Sequence, residues 1–194
     1  DDKVFFQIQD LKARVKQIED DDSRQVAMVI LASVIVRASK MTRQGDLRFA
    51  KDGEKSEDDW NIVGNYERKI EEAIIDIESE DCPINAGTIC LAEDSRDIDV
   101  ENIIDCVITS PPYLNGTNYV RNTKLELKLC DFVASENDLP MFHSKGIIAG
   151  INNVSKRNCD FEAPSCVKPY LEQLAPVAYD KRIPIMVAGY FHDM

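Results

Sequence analysis

The sequence lacks the features of membrane, secreted and metal-binding proteins. Its longest apolar run, Val26 to Val36, is interrupted by Ser33 and is shorter than the roughly 20 residues that cross a bilayer. Six cysteines, at positions 82, 90, 106, 130, 159 and 166, form no C-x-x-C pair, which is typical of reduced thiols in a cytoplasmic protein. Cys159, Cys166 and His143 are too irregularly spaced to favour a metal site. We therefore expect a cytoplasmic protein with neither a membrane partner nor a metal.

The sequence also lacks an excess of basic residues. It has 35 acidic and 23 basic residues, a net charge of −12 and a pI of about 4.6. Such a chain is repelled by polyanions unless its cations are segregated. They are grouped to some extent, at Arg37, Lys40, Arg43, Arg48 and Lys51. This basic cluster is either a solvated face or an anion-binding surface, and the overall acidity also fits adaptation to a salty cytoplasm.

Residues 1–80 show only helical periodicity. The first helix is predicted from Asp1 to Glu19, on the spacing of Val4, Ile8, Leu11, Val15 and Ile18. A second is predicted from an N-cap at Ser23 to Lys40, and it should be central because its Val26 to Val36 run is apolar nearly all round. A third is predicted on a core-facing stripe of Trp60, Val63, Tyr66, Ile70, Ile74 and Ile77. We predict that residues 1–80 are wholly helical.

After Cys82-Pro83 the pattern changes to one of alternating strands and helices. Strands are predicted at Thr88 to Ala92 and at Asp105 to Thr109, because Cys106, Val107 and Ile108 are consecutively apolar, as in a buried parallel strand. Parallel strands end at one edge of a sheet, so Asp94 and Ser110 are expected to line a common crevice. Helices are predicted at Val100–Ile104, Tyr119–Val133, Val167–Leu174 and Arg182–Met194. Residues 135–165 lack periodicity and form either a DNA-facing insertion or a plain surface loop.

The second predicted strand stops at the tetrapeptide Ser110-Pro111-Pro112-Tyr113. Each proline fixes φ and has no backbone N–H, so the carbonyls of this turn are held stiffly and can accept hydrogen bonds. The same tetrapeptide could also be an ordinary exit from a strand, with the tyrosine packed on the core.

Thr109 to Tyr113 resembles the catalytic loop of the S-adenosylmethionine-dependent amino-methyltransferases that modify DNA bases. Four flanking segments also resemble these enzymes: Met41–Phe49, Ile89–Ile98, Gly116–Leu127 and Val187–Met194. The resemblance implies an α/β fold, a partial Rossmann-like methyltransferase sheet in residues 81–194 that follows a helical segment in residues 1–80.

The resemblance assigns roles to particular residues. Ser110 and the Pro111 carbonyl, stiffened by Pro112, accept hydrogen bonds from the exocyclic amine of a flipped base, and Tyr113 stacks on that base. Asp94 approaches the adenine of the implied cofactor, S-adenosylmethionine. The expected contacts to double-stranded DNA come from Arg43, Arg48, Asn118 and Arg121.

Two departures from the family pattern qualify this assignment. The sequence has no glycine-rich F-x-G-x-G or G-x-G-x-x-G turn, which the family needs to seat the cofactor. It also has Lys128 and Asp131 where the family often has an aromatic residue and a glycine. We therefore expect an internal piece of a longer enzyme, or a second polypeptide that supplies the cofactor loop.

The expected target is cytosine N4 rather than adenine N6, because Ser stands at position 110 in place of Asp or Asn. Methylation of cytosine C5 is disfavoured because that reaction needs a cysteine nucleophile, and no Pro-Cys dipeptide occurs. Two alternatives remain open: an RNA-base methyltransferase, and a non-catalytic interaction subunit with a methyltransferase-like fold.

Overall fold

Helices make up most of the fold, which is mixed α/β with one small sheet in the described part of the chain. The computed structural model describes residues 2–79, 90–92, 94–100, 104–114, 116, 118–154 and 161–194. The helices are α1 (Asp2–Val15), α2 (Asp21–Ala38), α3 (Ile62–Glu78), α4 (Tyr119–Asn122), α5 (Lys124–Leu129), α6 (Leu139–Lys145), α7 (Ile151–Val154), α8 (Lys168–Leu174) and α9 (Arg182–Asp193). Single 3₁₀ turns cover Asp58–Trp60, Ser95–Asp97 and Glu136–Asp138.

The chain divides into two compact units with different boundaries from the predicted domains. Unit 1 comprises Asp1–Ala86 and Tyr119–Pro140, and unit 2 comprises Gly87–Asn118 and Met141–Met194. The segment that contains α4 and α5 therefore belongs with the N-terminal helices.

Helix α2 is the centre of unit 1. The Val26 to Val36 run is helical, as predicted, and Leu31 is fully buried. The N-cap is Asp20 rather than the predicted Ser23: an Asp20 carboxylate oxygen accepts the Ser23 N–H at 2.8 Å. Either side chain suits an N-cap, and Asp20 stands at the position from which it reaches the free N–H groups of the first turn. The core around Leu31 contains Val4, Ile8 and Val15 of α1, Ile62 of α3 and Leu129 of α5.

The prediction that residues 1–80 are wholly helical is wrong because a β-hairpin follows α2. Strands β1 (Met41–Gln44) and β2 (Asp46–Phe49) pair antiparallel around Gly45, whose φ is +79°. A positive φ is readily adopted only by glycine, so Gly45 allows the tight turn that joins the two strands. Leu47 of β2 is buried in the unit 1 core, which fixes the hairpin there.

The apolar stripe of α3 is only partly buried. Ile62 is fully buried, and Val63, Tyr66 and Ile70 pack against the core, but Ile74 and Ile77 are exposed. The predicted core role is therefore wrong for the last two, because the packed part of the stripe ends at Ile70. Trp60 packs against the same core from the 3₁₀ turn that precedes α3.

The predicted partial Rossmann-like sheet is not confirmed. Within the described ranges the only strands are β1 and β2, and residues 90–92 and 104–110 have no sheet partner. Val107 and Ile108 are 76% and 95% exposed, so the predicted strand from Asp105 to Thr109 is wrong. An apolar run forms a stable strand only when other strands pair with it. Residues 88–89 of the other predicted strand, and most of the predicted Val100–Ile104 helix, lie outside the described residues.

Unit 2 has a small core built on α7 and α9. Ile148, Val154 and Met186 are buried together, and Phe161 packs against them. Helix α9 packs closely against the Phe161 ring because it has Gly189 at the contact. A Cβ at Gly189 would lie 2.7 Å from a ring carbon of Phe161. The predicted helices at Val167–Leu174 and Arg182–Met194 are confirmed as α8 and α9. The single helix predicted over Tyr119–Val133 is instead two short helices, α4 and α5, which are interrupted at Thr123 and end at Leu129.

Asp131 ends the α5 segment in a left-handed conformation, with φ of +63°. This is the position at which the resembling family often has glycine, and helices commonly end with a left-handed residue. Lys12 of α1 and Lys16, which follows the end of α1, each hold one Asp131 carboxylate oxygen at 2.5 Å. These contacts favour the ionised form and lower the pKa of Asp131 to about 2.

We expect Asp131→Ala to be less stable than Asp131→Gly by roughly 1 kcal/mol, because alanine is strained in the left-handed region and glycine is not. Both variants lose the two lysine contacts. The difference between their free energies of unfolding therefore measures the cost of the left-handed backbone conformation for alanine. Urea unfolding of the two variants measures it. Equal stabilities would show that Asp131 does not hold this conformation.

The ionisation of Asp131 also predicts an acid-dependent loss of stability. Because the pKa of Asp131 is lower in the folded chain, its contribution is present above about pH 4 and is lost as the pH falls towards 2. Its side chain is 55% exposed, so solvent screening keeps the contribution within about 1 kcal/mol. The free energies of unfolding of the wild type and of Asp131→Asn should therefore converge at low pH. A constant difference between them from pH 5 to pH 2 would contradict this assignment.

Candidate functional site

The Ser110 to Tyr113 loop presents two unused acceptors. Among the described residues, neither the Ser110 hydroxyl nor the Pro111 carbonyl has a hydrogen-bond partner, and both residues are exposed. The next carbonyl, that of Pro112, is used: it accepts the Tyr190 hydroxyl of α9 at 2.9 Å. Tyr190 therefore ties the loop to the helix without occupying the acceptors that precede it.

A tight turn follows the loop. The Gly116 N–H donates to the Tyr113 carbonyl at 3.0 Å, which closes a four-residue turn. A Cβ at Gly116 would lie 2.7 Å from the Tyr113 Cβ, so this turn requires glycine. The Tyr113 side chain is 79% exposed, and its ring is free to stack on a planar ligand.

Removing the Tyr190 hydroxyl should loosen the loop. One hydrogen bond contributes about 0.5–1.5 kcal/mol, so we expect Tyr190→Phe to raise the rate of chymotrypsin cleavage after Tyr113 about two- to tenfold. Limited proteolysis followed by mass spectrometry measures cleavage at that bond. Tyr170→Phe on the exposed face of α8 is the matched control and should leave the rate unchanged. Equal rates in wild type and Tyr190→Phe would show that the contact does not restrain the loop.

Asp94 is occupied within unit 2. One of its carboxylate oxygens accepts the Arg96 backbone N–H at 3.0 Å and the guanidinium Nε at 2.9 Å, and the other contacts the same guanidinium at 2.5 Å. The Arg96 side chain therefore lowers the pKa of Asp94 to about 2. No hydrogen bond joins Asp94 to Ser110 in the described chain. Asp94 caps the Ser95–Asp97 turn, and an adenine could use it only by displacing Arg96.

Arg96 connects this turn to the C-terminal helix. Its guanidinium donates to the Lys145 carbonyl at 2.8 Å and lies 3.4 Å from the Asp193 carboxylate. Asp193 also accepts the Ile148 N–H at 3.0 Å, next to the unit 2 core. These contacts raise the pKa of the Arg96 guanidinium, with Asp94 as the largest cause. The network is structural, and sequence patterns did not indicate it.

The arginines expected to contact DNA are paired with carboxylates. Arg43 donates to the Asn122 carbonyl at 2.8 Å and to Glu126. Arg48 makes two contacts of 2.8 Å with Glu54, which lower the pKa of Glu54 to about 2. Arg121 lies 3.5 Å from Asp46, and Asn118 is half-buried with a partner of its own. Each of these arginines has a local counter-charge, so a phosphate must compete for it.

The described residues do not fit S-adenosylmethionine. Glycines with positive φ in these ranges are Gly45 and Gly53, and neither follows a parallel strand. The acid expected at the adenine, Asp94, is already bound to Arg96. The Ser110 to Tyr113 loop therefore offers unused acceptors, and the described residues show no cradle for the cofactor.

Comparison with known proteins gives no match: no family model, no curated protein and no solved structure is similar to this chain. In the described ranges, no helix combines the length and apolarity needed to cross a bilayer. The described cysteines, Cys90, Cys106, Cys130 and Cys166, carry free thiols, and Cys82 and Cys159 lie outside the described residues.

Proposed function

We propose that this chain carries the amine-binding loop of a cytoplasmic, S-adenosylmethionine-dependent methyltransferase that acts on DNA, with cytosine N4 preferred over adenine N6. The observation that carries the proposal is the pair of unpartnered acceptors, the Ser110 hydroxyl and the Pro111 carbonyl, beside the exposed Tyr113 ring.

The acceptors suit the chemistry of an exocyclic amine. Its lone pair is delocalised into the base, so it is a poor nucleophile until its nitrogen becomes pyramidal. Hydrogen bonds from the two amine hydrogens to Ser110 and Pro111 strengthen as that nitrogen gains positive charge. Interactions that strengthen in the transition state are those that accelerate a reaction.

Tyr113 suits the recognition of an extruded base. The amine is inaccessible inside a duplex, so the nucleotide must be flipped out at a cost of a few kcal/mol. Stacking on an aromatic ring contributes about 1–3 kcal/mol per base and offsets part of that cost.

The cofactor loop is assigned to a second polypeptide or to sequence beyond these residues. S-adenosylmethionine, when bound, supplies the activated methyl group. The contribution of this chain is to bind the amine and orient the base. The isolated chain should accordingly show no saturable binding of S-adenosylmethionine in calorimetry, and micromolar affinity would show that a cofactor site exists within it.

A second candidate is a non-catalytic interaction subunit. It is favoured by the carboxylate partners of Arg43, Arg48 and Arg121, and by the absence of a glycine-rich turn. Such a subunit would leave the acceptors of the Ser110 to Tyr113 loop without a function, and recognition of the target amine separates the two candidates.

The proposal is tested by binding the whole chain to duplexes that differ at one mismatched base. Cytosine offers two amine hydrogens and N4,N4-dimethylcytosine offers none. Two hydrogen bonds of about 0.5–1.5 kcal/mol each predict that cytosine binds roughly tenfold more tightly. Fluorescence anisotropy measures the dissociation constants. A duplex with a mismatched adenine and a single-stranded RNA are measured in the same way.

Ser110→Ala should remove one of the two hydrogen bonds and lower the preference for cytosine to about threefold. Equal affinity for the cytosine and dimethylcytosine duplexes in the wild-type chain would contradict the proposal and favour the non-catalytic subunit. Tighter binding of cytosine in RNA than in DNA would instead favour an RNA-base methyltransferase.

A further inference from the structure

A cavity in unit 1 has no role in the proposed function. It has a volume of about 520 Å³, within the range of small-molecule sites. Residues of α1, α2 and α5 line it, together with Trp60 from the 3₁₀ turn before α3. It lies among helices of unit 1 and does not include any residue of the Ser110 to Tyr113 loop.

The lining of the cavity is mostly apolar. Ile8, Ile35, Leu129 and the Trp60 ring form apolar walls, and the half-exposed Phe5 ring stands on α1 at the same cavity. Apolar walls do not replace the hydration of an inorganic ion or of a nucleic-acid phosphate, so they do not favour the binding of either. The walls suit an aliphatic or aromatic group, which gains free energy in proportion to the apolar area removed from water.

All but one of the charged residues that line the cavity are lysines. Lys12, Lys40 and Lys128 line it with a single carboxylate, Asp131, so cations exceed anions by two in a chain of net charge −12. Lys12 is bound to Asp131, and Lys128 donates to the Ala134 carbonyl. The Lys40 ammonium group has no hydrogen-bond or ion-pair partner among the described residues, although the Lys40 carbonyl accepts the Ala50 N–H. Lys40 is therefore the cation best able to bind an incoming anion.

We propose that this cavity binds a small amphipathic anion, a molecule with an apolar body and one carboxylate or sulfonate group. The body packs against Trp60 and Leu129, and the anionic group contacts Lys40 with support from Lys128. This site is separate from the proposed methyltransferase loop and does not depend on it.

Tryptophan fluorescence can measure binding at this site, because Trp60 is the only tryptophan of the chain and lines the cavity. Titration of the whole chain with decanoate should change the Trp60 fluorescence in a saturable way. Decanol has the same apolar chain without the charge and should bind at least about tenfold more weakly, because it lacks a charge-assisted contact to a lysine.

Lys40→Gln should weaken decanoate binding about tenfold and leave decanol binding unchanged. Lys69→Gln on α3, away from the cavity, is the control with the same change of charge and should bind decanoate like the wild type. Calorimetry with naphthalene-2-sulfonate tests an aromatic body against the same variants. The proposal is overturned by equal affinities for decanoate and decanol, by no saturable binding of either, or by equal losses in Lys40→Gln and Lys69→Gln.

Discussion

Replacing Ser110 by alanine is expected to lower kcat for methyl transfer by about 10²- to 10³-fold, the usual cost of losing one preorganised hydrogen bond to developing charge. Affinity for DNA should fall only about two- to tenfold, because the hydrogen bond contributes about 0.5–1.5 kcal/mol in the ground state and strengthens as the amine nitrogen becomes positive. The complete enzyme, purified from its native cells by an affinity tag on this chain, brings with it any polypeptide that supplies the cofactor loop. Transfer of labelled methyl groups to duplex DNA measures the rate.

The neighbouring hydroxyl provides the control for this experiment. Thr109→Ala removes a hydroxyl one residue earlier in the same exposed segment, and the proposal gives Thr109 no role in catalysis. This variant should keep a rate close to that of the wild type. Equal losses in Thr109→Ala and Ser110→Ala would indicate general disturbance of the loop, and full activity of Ser110→Ala would make the loop merely structural.

Tyr113→Ala should respond differently to the substrate. The loss of a stacking surface makes base flipping harder, so a mismatched target, which costs less to extrude, should partly restore methyl transfer. The same mismatch should not restore Ser110→Ala, because the missing hydrogen bond acts after flipping. Equal rescue of both variants would contradict the separate roles assigned to the two residues.

The largest expected effect on stability is that of Leu31→Ala, at about 2–5 kcal/mol. Leu31 is fully buried at the centre of the unit 1 core, so truncation leaves a cavity as well as losing apolar contacts. Urea unfolding followed by Trp60 fluorescence reports on this unit, since Trp60 packs against the same core.

An exposed apolar residue of the same helix is the matched control for Leu31. Val29 of α2 is 67% exposed, and its replacement by alanine should change stability by less than about 0.5 kcal/mol. A loss below about 1 kcal/mol for Leu31→Ala would show that α2 is not the centre of the core.

Helices were predictable from the sequence because their periodicity is local. The heptad-like spacing of Val4, Ile8 and Val15 identified α1, and the long apolar run identified α2. The hairpin was missed because its two strands have four residues each, too few to show an alternating pattern clearly. The strand predicted at Asp105 to Thr109 failed for another reason: apolar residues indicate a strand only when a partner strand is present, and pairing is a property of the whole fold.

In the candidate site, too, local features were predictable from the sequence and long-range contacts were not. The motif located Ser110 to Tyr113, because two prolines and their neighbours are recognisable from their order alone. The contact between Tyr190 and Pro112 spans 78 positions, and no spacing rule predicts it. The partners of Arg43 and Arg48 were also unpredictable, because a row of basic residues does not reveal which carboxylates the fold brings near.

The most direct test of the proposed function is the modified-base content of DNA from the native cells, compared with cells whose chromosomal gene encodes Ser110→Ala. Genomic DNA is digested to nucleosides and the methylated bases are measured by mass spectrometry. The account predicts N4-methylcytosine in wild-type DNA and its loss, or a large decrease, in the Ser110→Ala strain. Unchanged levels of N4-methylcytosine and N6-methyladenine in the two strains would contradict it.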